Sequence, residues 1–318
     1  MTATSPLADV AALLDMVVAT PGPSFAEMEL NQAREAVRAM VCMLDAPAST
    51  HVMVADHVCP TSDGPIVSRS YLPPQVRSGD PAIVFFHGGG WVTGDLDVYD
   101  SFCRFLAEQS GLRVLAVDYR RAPEHPFPAA YEDTLAAARW SIGGDGPFAG
   151  APAIVLAGDS AGGNLAAAAS HTLALEGFAV AAQLLLYPVL NVSAQSQSYR
   201  DNAEGFLLTR ADMEHFIASY VPVVDDRLDP RCSPLLAQDM TQVPPTVLLA
   251  CGLDPLRDEA RAYAAALTSA GRDVAFVEAK GQIHGLATLR GALPSAAETL
   301  KHVIGLLRQL TKRGLAYD

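Results

Sequence analysis

Short apolar runs alternate with longer amphipathic stretches from residue 82 almost to the end of the chain. Each run has the length of a buried strand, and most stretches between the runs repeat apolar residues at helical spacing. Strands are predicted at Ala82–Phe86, Arg113–Val117, Ala153–Ala157, Ala181–Leu186, Thr246–Ala250 and Asp273–Glu278. Continuous apolar strands joined by helices predict an α/β fold, in which a mostly parallel sheet carries helices on both faces.

The N-terminal part has a different pattern, with two helices followed by a pair of strands. Apolar spacing predicts a helix over Leu7–Val18, and a capping box at Ser24–Glu27 predicts the start of a second helix that runs toward Leu44. The segments His51–Val58 and Ile66–Leu72 are predicted to be two strands joined by a polar turn.

Residues 191–233 interrupt the alternation with a polar loop and one helical segment, "TRADMEHFIASYV", but no strong strand. This pattern predicts an insertion that lies over the sheet and forms a lid together with the N-terminal helices. The sequence therefore divides into an N-terminal helical part of the cap (1–48), a first part of the α/β core (49–190), the cap insertion (191–233) and a second part of the core (234–318).

Composition and charge narrow the classes of function. Half of the 318 residues are hydrophobic, which suffices for a sizeable core, and a formal net charge of −13 disfavours binding to nucleic acid. No apolar run reaches the roughly 18 residues of a membrane helix, and no basic leader opens the chain. The five cysteines form no CxxC pair. We expect a soluble, cytoplasmic protein without membrane insertion, metal or cofactor.

The segment Gly158-Asp159-Ser160-Ala161-Gly162 lies between a predicted strand and a predicted helix. A serine in such a sharp turn is crowded by its neighbours two positions away on each side, and glycine at both places relieves this crowding. The turn lifts the hydroxyl above the carboxyl end of the sheet, where chemistry occurs in parallel sheets. We therefore predict Ser160 to be a nucleophile; the alternative, a serine that caps the helix, needs neither glycine.

A serine nucleophile needs a base, and histidine is the usual one. His284 follows the last predicted strand directly, in a loop at the carboxyl end of the sheet. His215 falls in the predicted lid helix, and His302 falls inside the C-terminal helical pattern. His284 is therefore the predicted base.

The base needs an acid that orients it, and the segment "TVLLACGLDPLRDE" supplies three carboxylates. Asp254 follows the strand closely, and the next residue is proline. Asp258 and Glu259 are alternatives, but they fall in the first turn of the next helix, where carboxylates ordinarily face solvent and interact with the helix dipole. Asp254 is therefore the predicted acid.

The loop "HGGGW" after the strand Ala82–Phe86 is suited to stabilise an oxyanion. Without side chains, its backbone can turn amides toward a substrate oxygen. We predict an oxyanion hole from the amides of Gly88 and Gly89 together with that of Ala161, and His87 is expected to brace the loop. Phosphate binding is the alternative for a glycine loop, but neither GxGxxG nor GxxxxGK[ST] is present.

Together these motifs resemble the bacterial hormone-sensitive-lipase-like esterases of the α/β-hydrolase superfamily. The resemblance covers about residues 70 to 312 and rests on His87-Gly88-Gly89-Gly90, Asp118–Ala130, Gly158–Ala166, Asp254–Glu259 and His284-Gly285. It implies a serine carboxylesterase of α/β-hydrolase fold with a helical cap, and it implies pairing of two copies through the sheet edge. It aligns the triad and the oxyanion hole with the residues predicted above.

These residues predict hydrolysis of short- to medium-chain carboxylic esters through an acyl-enzyme intermediate, with a small-molecule ester and water as the partners. An amidase, a peptidase or a long-chain lipase would use the same triad. A ligand receptor of this fold would lack the triad histidine, and a structural scaffold would leave the triad unexplained. The residues expected to wall the acyl pocket are Trp91, Tyr187, Phe206 and Leu207, although core packing accounts equally well for any one of them.

Overall fold

The centre of the structure is a sheet of eight strands, seven of which run in the same direction. The computed structural model describes residues 5–20 and 22–314. The strands are β1 (Met53–Cys59), β2 (Ile66–Leu72), β3 (Ala82–Phe86), β4 (Val114–Val117), β5 (Ile154–Asp159), β6 (Val180–Leu186), β7 (Thr246–Leu253) and β8 (Val274–Ile283). They lie in the order β1-β2-β4-β3-β5-β6-β7-β8, and β2 is antiparallel to both of its neighbours. The predicted α/β fold is confirmed.

Helices connect most of the parallel strands, as the alternation of patterns predicts. They are α1 (Ala8–Ala19), α2 (Leu30–Leu44), α3 (Asp100–Ser110), α4 (Ala129–Ile142), α5 (Ala161–Leu175), α6 (Ser198–Asp201), α7 (Arg210–Tyr220), α8 (Arg257–Ser269) and α9 (Pro294–Gly314). None of the helices in the described part of the chain has a stretch long and apolar enough to cross a membrane.

The central strands are buried on both faces, because each face of the sheet carries its own core. Every residue of β3 is buried, with Val84 and Phe86 in the core that α4, α5 and α8 cover. The alternate residues Ile83 and Phe85 belong to the opposite core, under α3 and α9. This arrangement explains why the strands are continuous apolar runs in the sequence.

The last two strands extend beyond their predicted ends. After an irregularity between Cys251 and Leu253, β7 and β8 pair again, with Leu253 opposite Ile283. The polar residues around Gly281 hid this continuation from the hydrophobic pattern, and that glycine has a φ of 78°. As a result, His284 follows the end of β8 at once.

The N-terminal capping box forms, but it does not begin a long helix. The Glu27 carboxylate accepts hydrogen bonds from the Ser24 amide at 2.9 Å and from the Ser24 hydroxyl at 3.1 Å. This contact closes only a short 3-10 turn, Phe25–Glu27, and α2 begins at Leu30. The prediction of a helix opening at Ser24 is therefore wrong, because Met28 and Glu29 have extended backbone that separates the two elements.

The segment 191–233 contains α6, α7 and the 3-10 turn Asp225–Leu228, and within this fully described segment there is no strand. It contacts the N-terminal part, because the Phe25 amide donates to the Asp212 carboxylate at 3.1 Å and the rings of Phe25 and Phe216 lie 5.8 Å apart. Of the four parts into which the sequence was divided, the first and the last include residues 1–4, 21 and 315–318, which lie outside the described residues.

Candidate active site

Ser160 occupies a sharp turn between β5 and α5. Its backbone has φ 53° and ψ −118°, outside the regions that a residue with a side chain normally adopts. Two hydrogen bonds hold the turn: the Ser160 amide donates to the Leu186 carbonyl at 2.9 Å, and the Asn164 amide donates to the Ser160 carbonyl at 3.0 Å. Such backbone strain typically costs about 1–3 kcal/mol and persists where the surrounding structure enforces it.

The two glycines beside this turn are required by close backbone approach. A Cβ at Gly158 would lie 2.2 Å from the Gly162 carbonyl oxygen. A Cβ at Gly162 would lie 1.9 Å from the Phe86 carbonyl oxygen, at the end of β3. Both distances are far below van der Waals contact, so the turn can form against β3 only with glycine at these positions.

Three side chains from distant parts of the chain meet at this turn. The Ser160 Oγ lies 2.8 Å from Nε2 of His284, and Nδ1 of the same ring lies 2.7 Å from Oδ2 of Asp254. Because an ionised carboxylate can only accept, Nδ1 carries a proton and Nε2 presents its lone pair to the serine hydroxyl. This is the hydrogen-bond order of a serine nucleophile, its base and the acid that orients the base.

The acid is more deeply buried than the two residues it serves. Asp254 has no exposed surface, whereas Ser160 is 7% and His284 is 8% exposed. Its second oxygen, Oδ1, accepts a hydrogen bond from the Leu256 amide at 2.9 Å. The ring of Tyr187 packs edge-on against His284 at 4.8 Å between centroids and restricts its rotation.

The glycine loop lies beside Ser160, but one of its amides is already engaged. The Gly88 amide donates to Oδ1 of Asp159 at 2.7 Å, so it is not free to bind a substrate oxygen. The prediction that Gly88 contributes to an oxyanion hole is therefore wrong. The amides of Gly89, Gly90 and Ala161 have no hydrogen-bond acceptor among residues 5–20 and 22–314.

His87 supports this loop from inside the protein. Its Nδ1 lies 2.8 Å from the Gly88 carbonyl oxygen, and its ring stacks on Tyr119 with centroids 4.3 Å apart. Burial lowers the pKa of His87 to about 4, so the ring is neutral at physiological pH and can donate from Nδ1. The Tyr119 hydroxyl in turn donates to the His87 carbonyl at 2.8 Å.

A mostly apolar cavity of about 110 Å³ opens onto Ser160 and His284. The glycine loop forms one side. Val37, Met40 and Val41 of α2 and Met213 and Phe216 of α7 contribute to its apolar wall. The Phe216 ring packs so closely on the loop that a Cβ at Gly90 would lie 2.3 Å from it.

Of the four residues predicted to wall this cavity, only Leu207 does so among the described residues that line it. Trp91 is fully buried elsewhere, with its ring stacked on Tyr220 at 4.4 Å. Tyr187 is buried behind His284, and Phe206 packs against the core under α3 and α9. The prediction is therefore wrong for Trp91, Tyr187 and Phe206, because all three side chains pack into the protein core.

Comparison with known proteins assigns this arrangement to a family. A family model described as the alpha/beta hydrolase fold matches residues 83–288, which is more than half of the chain. The chain belongs to the α/β-hydrolase family. The matched segment runs from β3 to the residues just after His284, and so it includes the glycine loop, Ser160 and Asp254.

Relatives in this family are similar to the chain over most of its length. A carboxylic ester hydrolase, LipN of Mycobacterium tuberculosis, is 38% identical over 288 residues, which cover 88% of this chain and 76% of the relative. An ethyl acetate hydrolase of Pseudomonas putida is 34% identical, and the matched region covers 89% of this chain and 91% of the relative. The solved structure of ester-hydrolase EH1AB1 from the Lake Arreo metagenome is 36% identical, superposes with a TM-score of 0.90, and covers 96% of this chain and 98% of its own.

Sequence patterns missed several residues of this α/β-hydrolase site. The wall from α2 and α7 was not predicted, although Met213 and Phe216 have the i, i+3 spacing of one helical face. Gly90 stands in the glycine loop, and Asp159 stands beside Ser160, but local sequence does not show which amide the carboxylate binds.

Glu259 also differs from its predicted place in solvent. It is 3% exposed, and its Oε2 accepts hydrogen bonds from the amides of Leu190 at 2.8 Å and Asn191 at 3.0 Å, where the chain leaves the sheet for the segment 191–233. Burial, together with the nearby Asp254 carboxylate, raises the pKa of Glu259 to about 8, although the hydrogen bonds from the two amides oppose this rise. The other predicted alternative, Asp258, pairs with Arg257 and Arg261.

Glu259→Gln is expected to remove a loss of stability that the wild type shows as the pH rises. The folded protein holds a proton on Glu259 up to about pH 8, whereas the ordinary glutamate pKa of 4.5 applies to the unfolded chain, so unfolding releases this proton between those values. The free energy of unfolding of the variant minus that of the wild type should therefore increase by up to about 1.4 kcal/mol per pH unit between pH 5 and 8.

Urea unfolding at pH 5, 6, 7 and 8 measures this difference. Glu278→Gln is the matched control, because Arg261 holds the pKa of Glu278 below its usual range and its titration therefore falls below this window. If the free energies of unfolding of the wild type and Glu259→Gln change in parallel with pH, the pKa of Glu259 is the same in the folded and unfolded chains.

Proposed function

We propose that the protein hydrolyses carboxylic esters by two-step acyl transfer, with Ser160 as nucleophile, His284 as general base and acid, and Asp254 as the acid that orients the base. Two hydrogen bonds carry this proposal: Nδ1 of His284 donates to Asp254 at 2.7 Å, and the Ser160 hydroxyl donates to Nε2 of His284 at 2.8 Å. The named activities of the relatives support the classification of this protein as a carboxylic ester hydrolase.

In the first step, Nε2 of His284 takes the hydroxyl proton as Ser160 Oγ attacks the ester carbonyl carbon. The carbon becomes tetrahedral and its oxygen becomes negative. Asp254 keeps the ring in the required tautomer and stabilises the imidazolium that forms. His284 then gives its proton to the alcohol oxygen, the carbon–oxygen bond breaks, and the acyl group remains on Ser160.

The negative oxygen needs donors that are in place before the reaction. We assign this role to the amides of Gly89, Gly90 and Ala161, because Gly88 is bound to Asp159 and the other three amides have no acceptor within the described residues. The N-terminus of α5 adds its dipole at the same point. One such donor typically contributes about 2.7–4 kcal/mol to lowering the barrier.

In the second step, His284 takes a proton from water, whose oxygen attacks the acyl carbon. The same amides stabilise the second oxyanion. Its collapse breaks the bond to Ser160 Oγ, which recovers its proton from His284, and the carboxylic acid leaves. Because the histidine must be neutral to act as a base, activity is expected to fall as the pH is lowered.

The cavity supports esters with a short chain. We propose that the segment 191–233 and the N-terminal helices act as a cap, since α2 and α7 both line the cavity beside Ser160. The volume of the cavity, about 110 Å³, is smaller than the roughly 150 Å³ of a cavity that holds one benzene ring. A chain much longer than a few methylene groups therefore has to displace residues of the cap.

Met213→Ala is expected to shift the preference toward longer chains. Met213 is 2% exposed and lines the cavity, so its truncation makes room for additional methylene groups. The ratio of kcat/KM for octanoate to that for acetate should rise about tenfold, which is typical when a pocket gains room for a methylene group.

Met240→Ala is the matched control, because Met240 is buried, at 7% exposure, but does not belong to the described lining of the cavity. The rates are measured with p-nitrophenyl esters. An equal shift in both variants, or none in Met213→Ala, would place the chain-binding region elsewhere.

Covalent trapping of the nucleophile tests the proposed function. A fluorophosphonate ester should add one phosphonyl group to the protein, on Ser160, at a rate that His284→Ala lowers at least a hundredfold. Intact mass and peptide mapping locate the group. Stoichiometric labelling of Ser160→Ala at the wild-type rate would contradict the proposal.

A further inference from the structure

One buried carboxylate lies beside the nucleophile and has no part in the proton transfers described above. Asp159 is the last residue of β5, directly before Ser160, and it is 2% exposed. A buried carboxylate is unfavourable unless donors compensate it. Its contacts therefore show what the residue does.

The Asp159 carboxylate accepts hydrogen bonds from three elements that surround the site. Oδ1 accepts from the Gly88 amide at 2.7 Å, and Oδ2 accepts from the hydroxyls of Tyr99 at 3.0 Å and Tyr187 at 3.3 Å. The Tyr187 hydroxyl accepts in turn from the Ala287 amide at 3.0 Å, three residues after His284. One side chain thus connects the glycine loop, the start of α3 and the histidine segment.

The glycine loop is shaped to receive this carboxylate. A Cβ at Gly88 would lie 2.6 Å from Asp159 Oδ2 and 2.8 Å from the Tyr99 hydroxyl, so only glycine allows the contact. On the far side of the loop, His87 Nδ1 lies 2.8 Å from the Gly88 carbonyl oxygen. The peptide groups on both sides of Gly88 are therefore fixed, and this sets the direction in which the following amides point.

Given the proposed function, on which this inference rests, we propose that Asp159 is a positioning residue: by binding the Gly88 amide it holds the glycine loop so that the amides of Gly89 and Gly90 are presented to the oxyanion. Without this acceptor, the Gly88 peptide can rotate and turn its neighbours away from the substrate. This positioning stabilises the transition state and not the bound substrate. Its loss should therefore lower kcat and leave KM unchanged.

The surroundings of Asp159 add a dependence on pH. The titratable groups that face it are Tyr99 and Cys103 at α3, Tyr119 after β4, Tyr187 after β6 and His284 after β8. Burial raises the pKa of Asp159 to about 6, whereas its hydrogen bonds from Tyr99, Gly88 and Tyr187, and the charge of protonated His284, lower it. Near pH 6 the acceptor becomes protonated and its hold on the loop weakens.

The test is a substitution series at Asp159, normalised by fluorophosphonate titration of active sites. Asp159→Asn keeps a neutral acceptor for the Gly88 amide and is expected to lower kcat about tenfold. Asp159→Leu keeps none and should lower kcat by about 10²–10³, the loss seen when an oxyanion donor is removed. KM should stay within threefold of the wild-type value in both variants, whereas affinity for a trifluoromethyl ketone, whose adduct carries the oxyanion, should fall in parallel with kcat.

Tyr99→Phe provides a second variant if Asp159→Leu fails to fold. It removes one donor that lowers the pKa of Asp159, so the contribution of Asp159 to the acid limb of the kcat profile, beside that of His284, should move to higher pH. Asp118→Asn is the control. Asp118 lies at the same edge of the sheet, and burial raises the pKa of its carboxyl as well. Within the described chain, however, its carboxylate accepts no hydrogen bond from the glycine loop. Its kcat should match that of the wild type.

Three results would overturn the positioning role. They are a change in KM as large as the fall in kcat, a wild-type kcat in Asp159→Leu, and an unchanged acid limb in Tyr99→Phe. These outcomes are distinct from failure of the proposed function. If Ser160→Ala hydrolyses esters at the wild-type rate, the proposed function is wrong. If that variant is inactive while the Asp159 variants keep the wild-type kcat, only the role of Asp159 is wrong.

Discussion

Asp254→Asn is expected to lower kcat about ten-thousandfold, while the protein remains folded and binds substrate normally. The Asp254 carboxylate accepts from Nδ1 of His284 at 2.7 Å and from the Leu256 amide at 2.9 Å. An asparagine amide that keeps its oxygen on Leu256 presents its NH₂ group to the ring. The ring then takes the other tautomer, in which Nε2 carries the proton and cannot accept that of Ser160.

Steady-state hydrolysis of p-nitrophenyl acetate measures this loss. Asp258→Asn is the matched control, because Asp258 is a nearby carboxylate of the same segment that pairs with Arg257 and Arg261. It should keep kcat within about threefold, because its carboxylate binds these arginines and the Ser198 amide and does not contact His284. A large loss in Asp258→Asn together with a small loss in Asp254→Asn would reassign the acid.

Gly162→Ala is expected to damage both stability and catalysis. The added Cβ would lie 1.9 Å from the Phe86 carbonyl oxygen and 2.6 Å from that of His87, so the start of the glycine loop has to move away from α5. We expect a loss of about 3 kcal/mol in the free energy of unfolding, the upper end for overpacked sites. We also expect a fall of about a hundredfold in kcat, because a displacement of about 1 Å misplaces the loop amides.

Gly305→Ala is the matched control, because this glycine also lies in a helix but has open space around the position of a Cβ. It should raise the free energy of unfolding by about 0.5–1 kcal/mol, since alanine is the better helix former. Urea unfolding and ester hydrolysis are measured for both variants. If Gly162→Ala is as stable and as active as the wild type, the close approach of α5 to β3 is wrong.

The fold could be predicted because its signals are local. Continuous apolar runs separated by helical patterns specify a parallel sheet whose strands are buried on both faces, and these strands are present, with β7 and β8 longer than predicted. Ser160, Asp254 and His284 could be predicted as a set because each follows a strand that ends at the same edge of the sheet.

The contacts that decide the site are not local, and the sequence could not supply them. The Gly88 amide binds a carboxylate that is 71 positions away along the chain. Whether Trp91 faces a substrate or Tyr220 depends on how the segment 191–233 returns over the sheet. Glu259 has the pattern of an exposed residue in a first helical turn, but the chain that leaves β6 binds its carboxylate inside the protein.

The most direct test of acyl transfer on Ser160 is hydrolysis of p-nitrophenyl esters, from acetate to palmitate, by the wild type and by Ser160→Ala at neutral pH. The wild type should be most active on short chains, and Ser160→Ala should lose this activity at every chain length. Hydrolysis by Ser160→Ala at the wild-type rate, or binding of the esters by the wild type without turnover, would contradict the proposed function.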